Sequence, residues 1–335
     1  MIIDDVVPVT KDVRPEVNLP FVRELPVLGI TTRFETNSRD VHAIVWETFG
    51  MWAGLRDETD TPRQAMATVR VVVCDGTEGT VGRSPIRHTC PDALRVIAQS
   101  AGSVGISDPE RAEAVAHVTG ELVADRDHFR DEMLQSITLA LLSSYDRHFL
   151  HAAAVACGGR AILLAGASGV GKSTLSYLAH RSGLQVMSED RVWIQQSPRL
   201  RVWGWPSRVH LRHEALAHFP EIDAVMRDTH GAGKQRHVVD VRESAAALPR
   251  LYADDAVVCL LSRGDDAPLL TPVDRDVVVD ALSRDVAPGF DRHAERHLPS
   301  VRAIAAQGGW RLRLSRDPHE ALPLLEQMLG GNGLD

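Results

Sequence analysis

The sequence predicts an α/β core with a phosphate-binding loop, preceded by a smaller α+β N-terminal domain and followed by a helical C-terminal region. A glycine-rich loop at residues 166–173 fits the pattern G-x-x-x-x-G-K-[ST] and lies between an apolar strand and a helical segment. From residue 150 onward, apolar stretches alternate with helical patterns, which is typical of an α/β sheet. Residues 21–124 mix short strand patterns with one helix-like stretch and carry no recognisable chemical motif.

The order of these patterns predicts three parts. Residues 1–20 contain three prolines among charged residues, which indicates an extended arm. Residues 21–124 form the small α+β domain, and residues 125–335 form the phosphate-loop domain, which opens with an amphipathic helix over residues 125–145. In the small domain we predict strands over 25–33, 67–74 and part of 112–123, and a helix over 41–55.

The segment around the glycine loop is predicted in more detail. Two strands, a helix and a third strand follow one another, and such alternation implies parallel pairing through right-handed crossovers. The patterns at 277–307 and 319–329 are helical and are expected to cover the sheet. The predicted elements are strand 150–156, a turn at Gly158 and Gly159, strand 160–165, helix 172–181 ending near Gly183, and strand 184–188, with further apolar stretches at 201–205, 237–241, 256–261 and 311–314.

Composition excludes several classes of protein. The chain has 335 residues, of which 44% are hydrophobic and 24% charged, which excludes a disordered or fibrous protein. Its net charge of −8 gives no overall attraction to nucleic acid or to a membrane, so neither is an expected partner. The four cysteines form no CxxC pair, the first residues lack the cations of a signal peptide, and no apolar run is long enough to span a bilayer. We expect a cytoplasmic protein, and a homo-oligomer is compatible with the sequence.

The glycine loop predicts a nucleotide site. Glycines allow successive N–H groups to turn inward, where they bind phosphate oxygens together with the helix N-terminus. The lysine then neutralises charge between the β- and γ-phosphates of ATP, and the following serine offers a hydroxyl to Mg²⁺. The predicted nucleotide-binding residues are Gly166, Ala167, Ser168, Gly169, Val170, Gly171, Lys172, Ser173 and Thr174.

An acidic pair follows the strand predicted at 184–188. Attack of a hydroxyl on a γ-phosphate needs one carboxylate to take the proton and another to hold the metal. Glu189 or Asp190, at the carboxyl end of a strand predicted to lie parallel and adjacent to the glycine-loop strand, can face the loop. We predict Ser173 and Asp190 as metal ligands, and leave open which acid is the base.

Residues 146–262 resemble the catalytic domain of the HPr kinase/phosphorylase family. The resemblance lies in a histidine 15 residues before Gly166, the loop sequence GASGVGKS, and an acidic pair with Arg-Val that starts 17 residues after Lys172. It implies a phosphoenolpyruvate-carboxykinase-like fold and a catalytic set of His151, Lys172, Glu189 and Asp190. The sequence departs from the family at Glu189 and Ala167, where the family has aspartates, and in lacking the family's N-terminal domain.

A catalytic core without that N-terminal domain is similar to the HPr-kinase-related proteins of peptide natural-product pathways. The resemblance implies an ATP- and Mg²⁺-dependent kinase that phosphorylates a hydroxyl, most simply serine, of a peptide or protein, such as a natural-product precursor peptide. The alternatives are a nucleotide-binding regulatory or scaffold protein without phosphotransfer, and a small-molecule kinase.

Three weaker features remain. Lys234 and Arg236 lie in a glycine-flanked basic loop before a strand and are candidate phosphate or substrate ligands. The spacing of His210, His213 and His218 does not put three ligands on one helical face, so we expect no zinc site. Trp203 and Trp205 belong either to the core or to the wall of an acceptor groove, and we favour the core.

Overall fold

The structure is a computed structural model that describes residues 17–55, 66–74, 85–89, 96–100, 102–206, 208–222, 227–228, 236–241, 251–284 and 294–330. The chain is a mixed α/β protein, as predicted, and its described strands form four sheets. Across the described ranges no helix has both the length and the apolar character needed to cross a membrane.

A seven-stranded sheet dominates the N-terminal part. Its order is β1-β2-β3-β7-β6-β5-β4, and it is mixed, because β3 pairs in parallel with both β2 and β7. The single strand predicted over 25–33 is wrong, since Leu28 and Gly29 have φ of 50° and 76° and turn the chain into a hairpin. The strands are β1 Phe21–Val27, β2 Ile30–Thr36, β3 Met66–Cys74, β4 Arg87–Thr89, β5 Val96–Ser100, β6 Ser103–Asp108 and β7 Glu113–Thr119.

Helices cover one face of this sheet. The first follows the predicted pattern and continues into a 3₁₀ turn, Gly50–Leu55. The helix predicted over 125–145 is present, with a π-helical turn at Phe129–Leu134, and its apolar side, including Met133 and Ile137, is buried in the core of the seven-stranded sheet. The predicted boundary assigns this helix to the phosphate-loop domain, and that division of the chain stays a prediction. The helices are α1 Arg39–Phe49, α2 Gly120–Ala124, α3 Arg126–His128 and α4 Gln135–Leu142, followed by a 3₁₀ turn at Ser143–Tyr145.

The C-terminal half holds the other three sheets. Of the helical patterns predicted at 277–307 and 319–329, the described parts are mainly helical, while residues 285–293 lie outside the described residues. The strands are β8 His148–Leu150, β9 Ala153–Cys157, β10 Arg160–Ala165, β11 Gln185–Ser188, β12 Val192–Gln195, β13 Arg201–Trp203, β14 Arg208–Arg212, β15 Arg227–Asp228, β16 Arg236–Asp240, β17 Tyr252–Ala253, β18 Asp255–Arg263, β19 Leu269–Val273 and β20 Gly309–Leu314. The helices are α5 Lys172–Arg181, α6 Arg275–Arg284, α7 Ala294–Ile304 and α8 Leu322–Met328, with 3₁₀ turns at His213–His218 and Pro318–Ala321.

The six-stranded sheet runs β11-β9-β10-β18-β20-β19. Strands β10, β18 and β20 are parallel, but the parallel pairing predicted for the strands at 150–156, 160–165 and 184–188 is wrong, because β9 runs against both β10 and β11. The predicted adjacency of the strand at 184–188 to β10 is therefore wrong, because β9 lies between them. The two strands still point the same way, because each is antiparallel to β9. The strand predicted over 150–156 also divides into β8 and β9 around residues 151 and 152.

A four-stranded sheet, β17-β13-β12-β8, joins the two halves. Its Trp193 and Trp203 are buried in the same apolar cluster as the N-terminal sheet, as is Trp205 beyond the end of β13. The core interpretation of Trp203 and Trp205 is thus confirmed, with 2% and 4% of their surfaces exposed. Trp205 contacts Trp52 with ring centroids 4.8 Å apart.

Candidate functional site

Five segments meet at one edge of the six-stranded sheet. Strands β10, β11, β18 and β20 all end there, and antiparallel β9 begins there. Ligands of open α/β sheets bind at such carboxyl edges. The residues that follow or precede these strands line a single cavity of about 480 Å³. They include His151, Ser168, Asp190, Arg263 and Arg316.

The loop between β10 and α5 depends on its glycines. Gly166, Gly169 and Gly171 have φ of 148°, 84° and 125°, in the region that side chains disfavour. A Cβ on Gly169 would also lie 2.8 Å from the guanidinium of Arg212. The loop leads directly into α5, which begins at Lys172 as predicted. A strand, a glycine loop and a helix N-terminus thus follow one another in the arrangement that binds phosphate.

Lys172 is turned toward the loop itself. Its Nζ donates to the Gly166 carbonyl oxygen at 2.5 Å, and the residue is 8% exposed. Six of the nine predicted loop residues line the cavity: Ser168, Gly169, Gly171, Lys172, Ser173 and Thr174. The other three predicted loop residues hold the loop together. The Gly166 carbonyl accepts from Lys172, and the Ala167 carbonyl accepts from the backbone N–H of Val170. The side chain of Val170 packs against the core beneath the loop.

Glu189 is held by three hydrogen bonds. Its Oε1 accepts from the Ser173 hydroxyl at 2.7 Å and from the backbone N–H of His210 at 2.9 Å. Its Oε2 lies 2.6 Å from His210 Nδ1. Only 10% of the side chain is exposed. Glu189 therefore joins the start of α5 to strand β14.

Asp190 has a different environment from its neighbour. Its side chain is 53% exposed, lines the cavity, and lies 3.6 Å from Arg191 Nε at the nearest. The sequence pairs Ser173 with Asp190 as metal ligands, whereas the hydroxyl of Ser173 bonds to Glu189. Two adjacent carboxylates thus differ in hydrogen bonding and exposure, one held beside the loop and one open to the cavity.

The β9–β10 hairpin explains the spacing between His151 and Gly166. A two-residue turn at Gly158 and Gly159 sets the register, in which Ala153 pairs with Leu164. Continued by two residues, that register brings His151 level with Gly166. His151 accordingly lines the cavity although it precedes the loop by 15 residues.

Four residues of the site were missed by the sequence-based prediction. Arg212 Nη2 lies 3.4 Å from Ser168 Oγ, and Arg263 and Arg316 line the cavity on the other side of the loop. His210, weighed only as a zinc ligand, holds Glu189 instead. A signal existed for Arg263 and Arg316, since each follows an apolar strand whose carboxyl end is expected at the site. No local signal connects His210 or Arg212 to the loop.

The basic loop candidates are largely outside the described residues. Lys234 lies there, and so does the side chain of Arg236. The backbone of Arg236 begins β16 and pairs with Arg212 in β14. Its strand position is therefore beside a residue that lines the cavity.

The oxygen atoms beside the loop fit a magnesium ion. Mg²⁺ prefers hard oxygen ligands and is held in phosphate-transfer sites by one or two protein groups together with substrate phosphates. The Ser173 hydroxyl and the Glu189 carboxylate provide such oxygens 2.7 Å apart at the start of α5. Asp190, the predicted second ligand, lines the same cavity but has no described contact with these two oxygens.

No family model matches the chain, and no curated protein matches it. Among solved structures it is similar to an HPr(Ser) kinase/phosphatase from Coxiella burnetii, with 16% identity and a TM-score of 0.29, over 55% of this chain and 89% of that one. A likeness of this size does not establish a shared family, so the family resemblance stays a prediction.

Proposed function

We propose that the protein is an ATP- and Mg²⁺-dependent kinase that transfers the γ-phosphate to a hydroxyl, most simply a serine, of a peptide or protein. The observation that carries this proposal is the shared cavity. The glycine loop, the fixed Glu189 and the open Asp190 all face one space of about 480 Å³. A module that only binds nucleotide needs the loop but has no need of an open carboxylate beside it.

The difference between the two acids supports a division of roles. Glu189, already bonded to Ser173, suits the metal side of the site. Asp190 is exposed and suits the acceptor side, where a general base must reach the proton that it removes. In the proposed step, the acceptor oxygen bonds to the γ-phosphorus, the bond to the β–γ bridging oxygen breaks, and the hydroxyl proton passes to Asp190. The products are a phosphoester and ADP.

Cations around the loop support charge stabilisation during this step. Lys172 at the start of α5 and the guanidinium group of Arg212 line the cavity beside the loop, where the phosphate oxygens carry negative charge. A bound Mg²⁺ would supply further neutralisation of the β- and γ-phosphates. His151, level with the loop, is placed to donate to a phosphate oxygen.

The order of the strands also supports one orientation of the nucleotide along the cavity. The acids follow β11, two strands to one side of β10, whereas Arg263 ends β18 and Arg316 follows β20 on the other side. With strands about 4.8 Å apart, the two ends of the cavity are about 19 Å apart. Because transfer must occur at the acids, we place the nucleoside over β18 and β20, where Leu314 and Pro318 provide apolar surface.

The acceptor class comes from the sequence resemblance and needs a direct test. The experiment is incubation of the protein with γ-labelled ATP and Mg²⁺ against three acceptor sets: peptides containing serine, the same peptides with alanine, and small polyols. Label in the serine peptides alone supports the proposal. Label in the polyols favours the small-molecule kinase.

A second measurement separates an inactive scaffold from a protein that does not bind. Titration with a fluorescent ATP analogue, with and without Mg²⁺, reports binding independently of transfer. Tight binding without transfer to any acceptor would support the scaffold alternative. Absence of binding would overturn the nucleotide site itself.

A further inference from the structure

The acidic pair lies in a short turn, residues 188–191, which we call the acid turn. Inside it, the Ser188 hydroxyl donates to the Arg191 carbonyl oxygen at 2.5 Å and lies 3.3 Å from the Arg191 backbone N–H. These bonds close the turn but do not fix its direction relative to the loop. That direction is set by contacts with other parts of the chain: Glu189 is bonded to Ser173 and His210, and two further contacts hold the two ends of the turn.

The first outside contact is the segment after β13. Ser188 forms a parallel bridge with Trp205, and Gly204 passes so close to β11 that a Cβ there would lie 2.4 Å from the Met187 carbonyl oxygen. Trp205 in turn packs against Trp52 of the 3₁₀ turn after α1 and Phe49 at the end of α1, with ring centroids 4.8 and 5.8 Å away. The acid turn thus lies on an aromatic cluster that belongs partly to the N-terminal half.

The second outside contact reaches the helix of that half. Arg191 Nη1 donates to Gln135 Oε1 at 2.9 Å, and the guanidinium lies 5.1 Å from the Trp205 ring centroid. Gln135 is 6% exposed, at the start of α4, and its Nε2 donates to Asp131 Oδ1 at 2.9 Å. The amide is therefore oriented by Asp131 so that its oxygen meets Arg191, the residue next to Asp190.

We propose that Gln135 is a positioning residue, which through Arg191 holds Asp190 in the direction needed for phosphoryl transfer. This inference rests on the proposed kinase function. It makes the N-terminal half a structural part of the active site, although none of its residues lines the described cavity. A misplaced base lowers the rate of the chemical step while leaving nucleotide binding to the loop intact.

The test compares two buried glutamines in the full-length protein. Gln135→Leu removes the acceptor for Arg191. Gln195→Leu is the matched control, because Gln195 is 2% exposed and accepts from Trp203 Nε1 at 2.9 Å but does not contact the acid turn. We expect Gln135→Leu to lower kcat with a serine peptide about tenfold or more, with the KM for ATP unchanged. Gln195→Leu should lower the melting temperature to a similar extent and leave kcat unchanged.

Two further variants keep the test decisive. Gln135→Glu retains an oxygen for Arg191 but loses the donor to Asp131, so it should keep most of kcat while losing thermal stability. If Gln135→Leu does not fold, Gln135→Asn, which is too short to reach Arg191, replaces it. Equal kcat in the Gln135 and Gln195 variants would overturn the positioning role.

Hydrogen exchange separates this inference from the kinase proposal. Gln135→Leu should speed amide exchange at residues 189–191 and not at residues 167–173, whether or not an acceptor has been found. Unchanged exchange in the acid turn would overturn the inference. A wild-type protein that transfers phosphate to nothing would overturn the kinase proposal, while faster exchange in the variant would still establish the physical link.

Discussion

The glycine loop and the acid turn face the same cavity but are held in different ways. The loop is organised mainly by its own segment, since Lys172 bonds to Gly166 and Val170 to Ala167. The acid turn is bonded to the end of the loop through Ser173 and Glu189, but its other outside contacts, with Gln135, Trp205 and His210, are to residues up to 56 positions away in the chain. The loop should therefore tolerate distant changes that displace the acid turn.

The largest expected effect is on the loop. Lys172→Ala should abolish transfer and weaken ATP binding, because the loop N–H groups remain while the phosphate charge is no longer countered. Titration with a labelled ATP analogue and an assay with γ-labelled ATP measure the two effects. A variant that binds and turns over like the wild type would show that the loop is not the phosphate site.

The next largest effect distinguishes the roles of the two acids in the acid turn. Asp190→Asn should lower kcat by about 10²-fold or more and leave ATP affinity and melting temperature near wild type, since the exposed side chain supports chemistry rather than packing. Glu189→Gln should weaken Mg²⁺-dependent binding and also lower the melting temperature, because three hydrogen bonds hold that carboxylate. Transfer by Asp190→Asn at the wild-type rate would contradict the assignment of the base.

The support of the acid turn can be tested at Gly204. Gly204→Ala places a methyl group against the Met187 backbone, and overpacking of this kind destabilises a protein by about 1–3 kcal/mol. We also expect kcat to fall with little change in the KM for ATP, because the displaced segment precedes the acids. Gly54→Ala is the control, since no atom lies within 4 Å of its Cβ position. Denaturant unfolding and steady-state kinetics measure the two effects.

At the other end of the cavity, a substitution of Arg263 tests the proposed orientation of the nucleotide. Arg263→Gln should raise the KM for ATP about tenfold, the scale of one charge-assisted hydrogen bond, and leave kcat largely unchanged. Arg284→Gln, on the surface of α6 and paired with Asp280, should change neither. A fall in kcat alone would instead place Arg263 at the transferred phosphate.

The smallest expected effect concerns Asp146, whose hydrogen bonds join distant parts of the chain but do not involve the acid turn. Asp146 accepts from the backbone N–H groups of Gln196 and Ser197 at 2.9 and 2.7 Å and lies 3.0 Å from His148 Nε2. Burial raises the pKa of Asp146, but these hydrogen bonds outweigh burial and keep the pKa below its ordinary value.

A lowered pKa in the folded state stabilises the protein above the unfolded pKa, and this stabilisation is lost as the pH falls through the folded value. Asp146→Asn should therefore lower stability by about 1 kcal/mol at pH 7. The difference from wild type should shrink as the pH falls below about 4. Melting curves from pH 7 to pH 3 measure this difference, and kcat should not change.

The same contrast explains what the sequence could predict. The glycine loop, α5 and β11 follow from local patterns and match the structure closely. The antiparallel pairing of β9 with β10 was missed although a two-residue Gly-Gly turn is typical of a hairpin, whereas no local pattern shows that β11 pairs with β9 and not with β10. Likewise, no spacing pattern links Gln135 to Arg191 or His210 to Glu189, since these contacts depend on how whole sheets pack.

The two-residue turn at Gly158 and Gly159 has a consequence for how this chain can change in evolution. Most residues of β9 and β10 are small or aliphatic, and replacement of one by a residue of similar volume would leave His151 in place. An inserted or deleted residue would instead shift the register by one and point alternate side chains to the opposite face. Among functional descendants of this sequence, we therefore expect substitutions throughout the hairpin but a constant number of residues between His151 and Gly166.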